Sequence, residues 1–391
     1  MIDYSKIINS KIMGVKPSGI RKFFDIANEM EDVISLSVGE PDFHTPWHIR
    51  EAGISSLEKG HVRYTPNRGF AKLREEIAGF LKRKYELLYK ADEEVLVTVG
   101  GSEAIDLCVR CLVNPGEEVL VPEPSFVCYV PITQMAGATP IIIETKAEDE
   151  FRLTAKALEE KITDKTKLLI LPFPNNPTGA VMRRQHLEEI ARVVEKYNLM
   201  VLSDEIYSEL TYGEAHVSFA SIEGMRERTV VVNGFSKSYS MTGWRLGYAA
   251  GPKEIIAPMT KLHQFAIMSA PTTSQYAAIE ALKNGDEDIE QMKKQYDMRR
   301  RLIVDSLNKM GLTCFEPEGA FYVFPSIKST GLTSMEFSER LIYSKRVAVV
   351  PGDAFGESGE GFLRISYSYS LKHITEALDR IGEFLEELSR E

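Results

Sequence analysis

The stretch Gly234-Phe-Ser-Lys-Ser-Tyr-Ser-Met-Thr-Gly-Trp-Arg245 places a lysine, Lys237, shortly after an apolar run. That run, Thr229-Val-Val-Val-Asn233, is typical of a buried strand. Lys237 should therefore lie just past the end of a strand in a sheet rather than on a solvated helix face. A single lysine in a loop rich in serine and glycine is usually an ordinary surface residue. A catalytic role for Lys237 therefore needs support from other residues in the sequence.

Two further polar groups stand just past buried strands. Asn176-Pro-Thr-Gly179 follows the apolar run Leu168-Leu-Ile-Leu-Pro-Phe173, and Asp204-Glu-Ile-Tyr207 follows Leu199-Met-Val-Leu-Ser203. In open α/β sheets, ligands bind at the edge formed by the carboxyl ends of the strands. We therefore expect these polar groups and Lys237 to meet at one edge of a sheet.

Composition and charge narrow the class of protein. The chain has 391 residues, of which 43% are apolar and 27% charged, an ordinary globular composition. Its formal net charge of -10 and the lack of a basic stripe argue against a nucleic-acid partner. The N-terminal residues carry charges where a signal peptide is apolar, and no run approaches the ~18 residues of a membrane span. We expect a cytoplasmic protein with small-molecule partners and no membrane partner.

Cysteine and histidine spacings predict neither a disulfide framework nor a metal site. Cys108 and Cys111 form a C-x-x-C pair, but both fall in an apparent helix and no second pair follows at metal spacing, which favours core cysteines. His44 and His48 are four residues apart, but Pro46 prevents the helical presentation of a metal motif.

The order of elements predicts an α/β fold. From Val95 to Lys283, short apolar runs alternate with helical patterns, which is typical of a mostly parallel sheet covered by helices. Residues 286–391 change to a long charged helix followed by an α+β pattern, and we expect them to form a smaller domain. Residues 41–285 would form the large domain. Residues 1–40 resemble an arm that packs with the small domain, with apolar side chains at Ile20, Phe23 and Phe24.

A double glycine between a strand and a helix suggests an anion site. The strand Val95-Leu-Val-Thr-Val99 is followed by Gly100-Gly101-Ser102 and then by a helix, an order that brings backbone N–H groups to an anion. The spacing matches neither a Walker loop nor the dinucleotide fingerprint, which disfavours a nicotinamide-dependent oxidoreductase. Glu103 would repel a phosphate unless its side chain points away.

Together these residues suit one cofactor. Lysine amines form Schiff bases with carbonyls, and pyridoxal phosphate (PLP) combines an aldehyde, a phosphate and a ring nitrogen. Asp204 would keep the ring nitrogen protonated, and Tyr207 and Asn176 could donate hydrogen bonds to the ring oxygen. Ser236 and Arg245 flank the lysine with donors suited to a phosphate.

Phe126, in Pro124-Ser-Phe126, is placed to stack on the ring, although it also suits an ordinary core position at a helix start.

The motifs N-P-T-G, D-E-I-Y and S-K-x-x-x-M-x-G-W-R, in this order, resemble those of the class I aminotransferases of the PLP fold type I. The resemblance runs from about Ser18 to the C-terminus. Ser18-Gly-Ile-Arg-Lys-Phe-Phe-Asp-Ile-Ala27 and Gly39-Glu-Pro-Asp42 are similar to the branch that contains aromatic and N-acetyl-diaminopimelate aminotransferases. The implied fold is a mostly parallel seven-stranded sheet in a large domain, with a smaller α+β domain.

The resemblance also implies a role for each matching residue. Lys237 would form the Schiff base and carry the proton between Cα and the cofactor. Gly101 and Ser102, with Ser236 and Arg245, would hold the phosphate. Tyr64 would reach the phosphate of a neighbouring subunit, which makes the active site a property of a homodimer. Arg364, with its planar fork, and the Gly39 backbone would bind the substrate carboxylate, which Asn176 also contacts.

The reaction implied by the resemblance is ping-pong transfer of an α-amino group to a 2-oxo acid such as 2-oxoglutarate. The donor stays open among aspartate, aromatic amino acids and N-acetyl-LL-diaminopimelate, and the apolar arm favours aromatic or long-chain donors. A C–S β-lyase of the same fold is an alternative, because it needs the same lysine, aspartate and arginine. A binding domain without catalysis is disfavoured, because every expected functional position is filled.

Overall fold

The computed structural model describes residues 2–15 and 30–391. The predicted apolar arm residues Ile20, Phe23 and Phe24 lie outside the described residues. The α-helices used below are α1 (Ser10–Met13), α2 (Trp47–Glu58), α3 (Ala71–Tyr85), α4 (Gly100–Leu112), α5 (Tyr129–Ala136), α6 (Ala155–Glu159), α7 (Arg184–Lys196), α8 (Lys253–Ala266), α9 (Thr272–Asn284), α10 (Asp286–Lys309), α11 (Ser334–Lys345) and α12 (Leu371–Leu388). The strands are β1 (Ile34–Ser35), β2 (Val95–Thr98), β3 (Glu118–Glu123), β4 (Thr139–Glu144), β5 (Thr166–Leu171), β6 (Met200–Asp204), β7 (Thr229–Gly234), β8 (Gly247–Ala250), β9 (Tyr322–Val323), β10 (Val347–Ala348), β11 (Val350–Pro351) and β12 (Leu363–Ser366).

The largest sheet has seven strands in the order β2-β8-β7-β6-β5-β3-β4. Strand β8 is antiparallel to both of its neighbours, and the other pairs are parallel. All residues of the interior strand β7 are buried, as expected for an apolar run covered by helices on both faces. The predicted mostly parallel, seven-stranded α/β sheet is therefore confirmed.

This topology brings the predicted site residues to one edge. Because β8 is antiparallel to both β2 and β7, β2 runs in the same direction as β7 and its parallel neighbours. The carboxyl ends of β2, β7, β6, β5 and β3 therefore share one edge. At or just after the ends of these five strands lie, respectively, the double glycine, Lys237, Asp204, Asn176 and Phe126.

Two small sheets lie outside the large one. Strands β11, β12 and β9 form an antiparallel sheet, and β1 pairs with β10 in parallel. In the apolar run over residues 33–38, Ile34 and Ser35 form the strand pairs with β10, and the N–H of Leu36 also donates to the carbonyl oxygen of Ala348. The apolar run over residues 347–350 is divided between two strands, because β10 pairs with β1 whereas β11 pairs with β12. Pairing partners that are distant in sequence thus set both strand ends.

The helices follow the apolar periodicity closely. The long charged helix expected from residue 286 is α10, and the last helix, α12, covers Leu371–Leu388. Cys108 is buried on α4, Cys111 is partly buried there, and both are free thiols. Within residues 2–15 and 30–391, no helix has the length and apolar character needed to span a membrane.

Candidate active site

A cavity of about 800 Å³ opens where the strands of the large sheet end. Of the twelve residues predicted for the site, eleven line it: Gly39, Gly101, Ser102, Phe126, Asn176, Asp204, Tyr207, Ser236, Lys237, Arg245 and Arg364. The strand ends supply most of them, and Arg364 comes from β12 of the small antiparallel sheet. The cavity thus lies between the large sheet and the C-terminal part of the chain.

Lys237 is only partly exposed, and its ammonium group contacts the backbone of the N-terminal segment. Its Nζ donates a hydrogen bond to the carbonyl oxygen of Gly39 at 2.5 Å. The same atom lies 5.7 Å from the ring centroids of Tyr207 and Phe321. Burial lowers the pKa of Lys237 to about 8; Glu40 opposes this shift, and the positive charges of Arg364 and Arg245 add to it. A substantial fraction of this amine is therefore neutral near pH 8.

Asp204 ends β6 with its carboxylate buried. The hydroxyl of Tyr129 donates to Oδ2 at 2.7 Å, and the backbone N–H of Ile206 donates to Oδ1 at 3.2 Å. Burial raises the pKa of Asp204 to about 6, although both hydrogen bonds act against the rise. Burial also raises the pKa of Tyr129, so its hydroxyl stays a neutral donor.

Tyr207 and Tyr322 form a pair of buried phenols on one side of the cavity. Their hydroxyl oxygens are 2.8 Å apart, and their rings meet edge to face with centroids 5.9 Å apart. Burial raises the pKa of Tyr207 well above its usual value. Tyr207 therefore acts as a neutral hydrogen-bond donor or acceptor rather than as an anion.

Arg364 is 2% exposed and has an open hydrogen-bonding position. Its Nη1 donates to Oδ1 of Asn176 at 3.2 Å, and its Nη2 donates to the carbonyl oxygen of Ser37. Its Nε has no partner among the described residues. The guanidinium lies 4.8 Å from the ring centroid of Tyr322. Burial lowers the pKa of this arginine, which stays protonated because its usual value is so high.

Gly39 must be a glycine for this packing. A Cβ atom there would lie 2.5 Å from the hydroxyl oxygen of Tyr322 and 3.7 Å from Nη1 of Arg364. The backbone of the N-terminal segment can therefore approach the hydroxyl of Tyr322 closely only because residue 39 has no side chain.

The double glycine opens α4 and faces Arg245. Residue 245 has a left-handed φ of 50°, and its Nη1 donates to the carbonyl oxygen of Thr242 at 2.9 Å. A Cβ on Gly100 would lie 2.7 Å from Nη2 of Arg245. Gly247 makes room for this loop, because a Cβ there would lie 2.6 Å from the carbonyl carbon of Gly100. The helix N-terminus and a guanidinium thus meet, as an anion-binding site requires.

Tyr64 is the predicted site residue that does not reach the cavity. Its side chain is 84% exposed, and the cavity lining does not include it. In a single chain it has no access to the site, so the predicted role depends on a second subunit.

The sequence did not predict three side chains that shape the site. Tyr129 holds Asp204, Tyr322 faces both Tyr207 and Arg364, and Glu40 accepts a hydrogen bond from Thr242 at 3.1 Å. Tyr129 could have been found three residues after Phe126, one turn along the predicted helix. No local pattern marks Tyr322, which comes from a distant strand.

The charges of the cavity lack ion-pair partners. Among the described residues, neither Lys237, Asp204 nor Arg364 forms a salt bridge, although all three are largely removed from solvent. Buried charges normally have partners, because desolvation is costly. The cavity therefore suits a ligand that offers one anionic group, one cationic group and one group that reacts with an amine.

Comparison with known proteins agrees with this geometry. Residues 31–381 match the family model described as aminotransferase class I and II. An aspartate aminotransferase of Pyrococcus abyssi is 47% identical over 95% of this chain and 97% of its own length. A probable N-acetyl-LL-diaminopimelate aminotransferase of Bacillus subtilis is 43% identical over 97% and 96%.

A solved structure extends the agreement from sequence to fold. The aromatic aminotransferase from Pyrococcus horikoshii has a TM-score of 0.90 and 46% identity, covering 93% of this chain and 99% of that one. This similarity confirms the predicted fold type. The chain belongs to the class I and II aminotransferase family and is an aminotransferase.

Proposed function

We propose that the cavity binds PLP and that the protein moves the α-amino group of an aromatic or aspartate-like amino acid to a 2-oxo acid such as 2-oxoglutarate. The observation that carries this proposal is the convergence of Lys237, Asp204 and Arg364, each without an ion-pair partner among the described residues, on one cavity. The cofactor and an amino acid together supply an aldehyde, a ring nitrogen and a carboxylate. These three groups match the three unpaired residues.

The residues present fit the cofactor. Asp204 would hold the proton of the ring nitrogen, Tyr207 and Asn176 would face the ring oxygen, and Phe126 would stack on the ring. Gly101, Ser102, Ser236 and Arg245 would hold the phosphate. When bound, PLP supplies an aldehyde that condenses with amines and a ring that accepts the electron pair left at Cα. Members of this family depend on PLP, which supports the proposal.

Lys237 would act as the acid–base group of the reaction. The pKa of about 8 makes its amine a base that can accept the Cα proton near neutral pH, and the resulting ammonium can return that proton. The carbonyl oxygen of Gly39 would accept a hydrogen bond from the ammonium form, as it does in this structure. The lysine could then hold the proton without leaving the cavity.

Arg364 would bind the α-carboxylate of the substrate. Its hydrogen bonds to Asn176 and Ser37 and its packing on Tyr322 fix the plane of the guanidinium. Its Nε is open to a carboxylate, and the planar fork favours a bidentate contact. Asn176 and the Gly39 backbone would complete the carboxylate site. N-acetyl-LL-diaminopimelate is a second candidate donor, because the Bacillus subtilis relative at 43% identity carries that activity in its name.

We further propose a homodimer and three structural units. Tyr64 would reach the phosphate site of the second subunit, since its side chain is exposed and outside its own cavity. Other large apolar side chains are also exposed, including Val62 at 67% and Phe265 at 83%, as is common at interaction surfaces. Residues 1–40 would form the arm, 41–285 the large domain and 286–391 the small domain. Localisation in the cytoplasm stays a prediction.

The proposal is tested by assaying the PLP-loaded protein with a panel of amino donors. The panel contains aspartate, phenylalanine, tyrosine and N-acetyl-LL-diaminopimelate, each with 2-oxoglutarate, and the product is glutamate. We expect parallel lines in double-reciprocal plots, as for ping-pong kinetics. Lys237→Ala should abolish turnover and the visible absorbance of lysine-bound cofactor. Release of pyruvate, ammonia and homocysteine from cystathionine without an oxo acid would instead indicate a β-lyase, and full turnover by Lys237→Ala would refute the proposal.

A further inference from the structure

The side chain of Glu103 turns back over the start of α4 and away from the double-glycine cradle. The N-cap residue of this helix, Val99, offers no side-chain acceptor. Instead, Oε2 of Glu103 accepts a hydrogen bond from the backbone N–H of Val99, and Oε1 contacts Nδ1 of His263 at 2.6 Å. The Glu103 carboxylate, which could have faced the anion, is therefore held by two donors on the side away from the double glycine.

This form of capping leaves the cradle donors free. The usual N-cap side chain accepts from the N–H of the second or third helical residue. Here those residues are Gly101 and Ser102, whose N–H groups have no intrahelical acceptor and are the donors an anion would use. Because Glu103 pairs with the N–H of Val99, the helix start is stabilised without using either donor. The hydroxyl of Thr98 also fixes the turn by donating to the carbonyl oxygen of Gly100 at 2.9 Å.

His263 sets the direction of this carboxylate. It lies on α8, is fully buried, and contacts Glu103 only through Nδ1. Its Nε2 has no partner among the described residues. A buried N–H without an acceptor is costlier than an unprotonated nitrogen, so we assign the tautomer with hydrogen on Nδ1. That hydrogen points at Glu103, and the opposite tautomer would leave a buried donor unpaired.

We propose that Glu103 and His263 are positioning residues for the anion cradle: His263 directs the Glu103 carboxylate onto Val99, which keeps its charge away from the phosphate and the first-turn N–H groups open. The inference rests on the proposed function, because the phosphate is that of PLP. Neither residue touches the ligand. The pair should therefore affect recognition of the phosphate and leave recognition of the ring unchanged.

The test compares PLP with pyridoxal, which lacks the phosphate. Dissociation constants are measured on cofactor-free protein by absorbance titration, with inorganic phosphate as a competitor. In Glu103→Gln, only one amide atom can accept, so the NH2 faces a donor in either orientation: the N–H of Val99, or the Nδ1 hydrogen of His263 unless that histidine changes its tautomer. We expect the affinity for PLP to fall about tenfold, equivalent to about 1.4 kcal/mol, the affinity for inorganic phosphate to fall similarly, and that for pyridoxal to stay within about twofold.

Two variants of His263 make a matched pair. His263→Gln retains a donor toward Glu103 and should keep most of the preference for PLP over pyridoxal. His263→Leu removes the donor and should lose that preference about as much as Glu103→Gln does. If Glu103→Gln does not fold, the comparison of these two variants carries the test. Glu280→Gln is the control, because Glu280 also accepts from a histidine, His48, at 2.9 Å but lies outside the cavity lining.

The proposal is overturned if the folded variants bind PLP as the wild type does. It is also overturned if they lose PLP and pyridoxal equally, since a structural defect alone would weaken both. If the wild type bound neither compound, the proposed function itself would fail, and the two failures are therefore distinguishable.

Discussion

The hydroxyl of Tyr129 lies 2.7 Å from Oδ2 of Asp204, and both side chains are buried. A hydrogen bond to an ionised group stabilises that ionised form, so this contact works against the burial that raises the pKa of Asp204 to about 6. The tyrosine thus favours the charged form of the aspartate, which the proposed pairing with a ring nitrogen would require.

Tyr129→Phe should weaken cofactor binding and shift its pH dependence. The variant keeps the ring but loses a hydrogen bond that stabilises the ionised carboxylate by about 1.5 kcal/mol, so PLP affinity at acid pH, where Asp204 is largely protonated, should fall about tenfold. Without the donor, the pKa of Asp204 rises further, so affinity should fall at a higher pH on the acid side than in the wild type. Titration of cofactor-free protein with PLP at several pH values measures both effects. If PLP affinity declined at the same acid pH in the variant as in the wild type, the assigned role would be contradicted.

Glu40→Gln should lower the pKa of Lys237 below its value of about 8. The Glu40 carboxylate raises this pKa, whereas burial, Arg364 and Arg245 lower it. The glutamine can still accept the hydrogen bond of Thr242, so the charge is the main change. The amines of cofactor-free protein are labelled with trinitrobenzenesulfonate at several pH values, and the labelling of Lys237→Ala is subtracted. The difference gives the pH midpoint for the reactivity of Lys237. We expect it at lower pH in the variant; an equal or higher midpoint would show that Glu40 does not influence the lysine.

Arg364→Lys should impair substrate use more than cofactor use. An ammonium group keeps the charge but loses the planar fork that suits a carboxylate. We expect kcat/KM for amino donors to fall about 100-fold, roughly 2.7 kcal/mol, while the visible absorbance of bound cofactor is retained. Steady-state kinetics and spectra of the same preparation provide the measurement. A loss confined to cofactor binding would place Arg364 outside the carboxylate site.

His48 should make stability depend on pH. Its two ring nitrogens each lie 2.9 Å from a carboxylate oxygen, one of Glu280 on α9 and one of Asp288 on α10. Burial alone would lower the pKa of His48, but Asp288 and Glu280 outweigh it and raise the pKa above 6.5. A raised folded-state pKa gives stabilisation that is complete below the unfolded value and is lost as pH rises through the folded value.

The melting temperatures of wild type and His48→Gln at pH 5.5 to 9 should therefore differ most at low pH and converge as pH rises above about 6.5. His44→Gln is the control, because it changes an exposed histidine four residues away. A difference that is constant over the whole range would show that the two carboxylates do not hold the histidine in its charged form.

Mixed subunits should reveal a shared active site. If Tyr64 serves the partner's phosphate, a dimer of one Tyr64→Ala subunit and one Lys237→Ala subunit contains one site with both native residues. Co-refolding the two variants should then restore about a quarter of wild-type turnover, because about half of the dimers are mixed and each has one intact site. The separately refolded variants are the controls. No gain above their averaged activities would place Tyr64 outside the active site.

Much of the site could be predicted because its residues follow strands in the sequence. Lys237, Asp204 and Asn176 each come shortly after an apolar run, and parallel strands present their carboxyl ends at one edge. The last helix, Leu371–Leu388, follows from its apolar periodicity alone. These features depend on near neighbours in the chain, so a single sequence contains them.

The sequence alone therefore determined the α/β class, the order of elements and the chemical groups at the strand ends. Tertiary structure alone decided which distant groups meet: β1 pairs with β10, Tyr207 meets Tyr322, and Lys237 contacts the carbonyl of Gly39. The reason is physical. Periodicity reports which face of an element is apolar, but partners hundreds of residues away are selected by packing and by the need to pair buried polar groups, which no local pattern records.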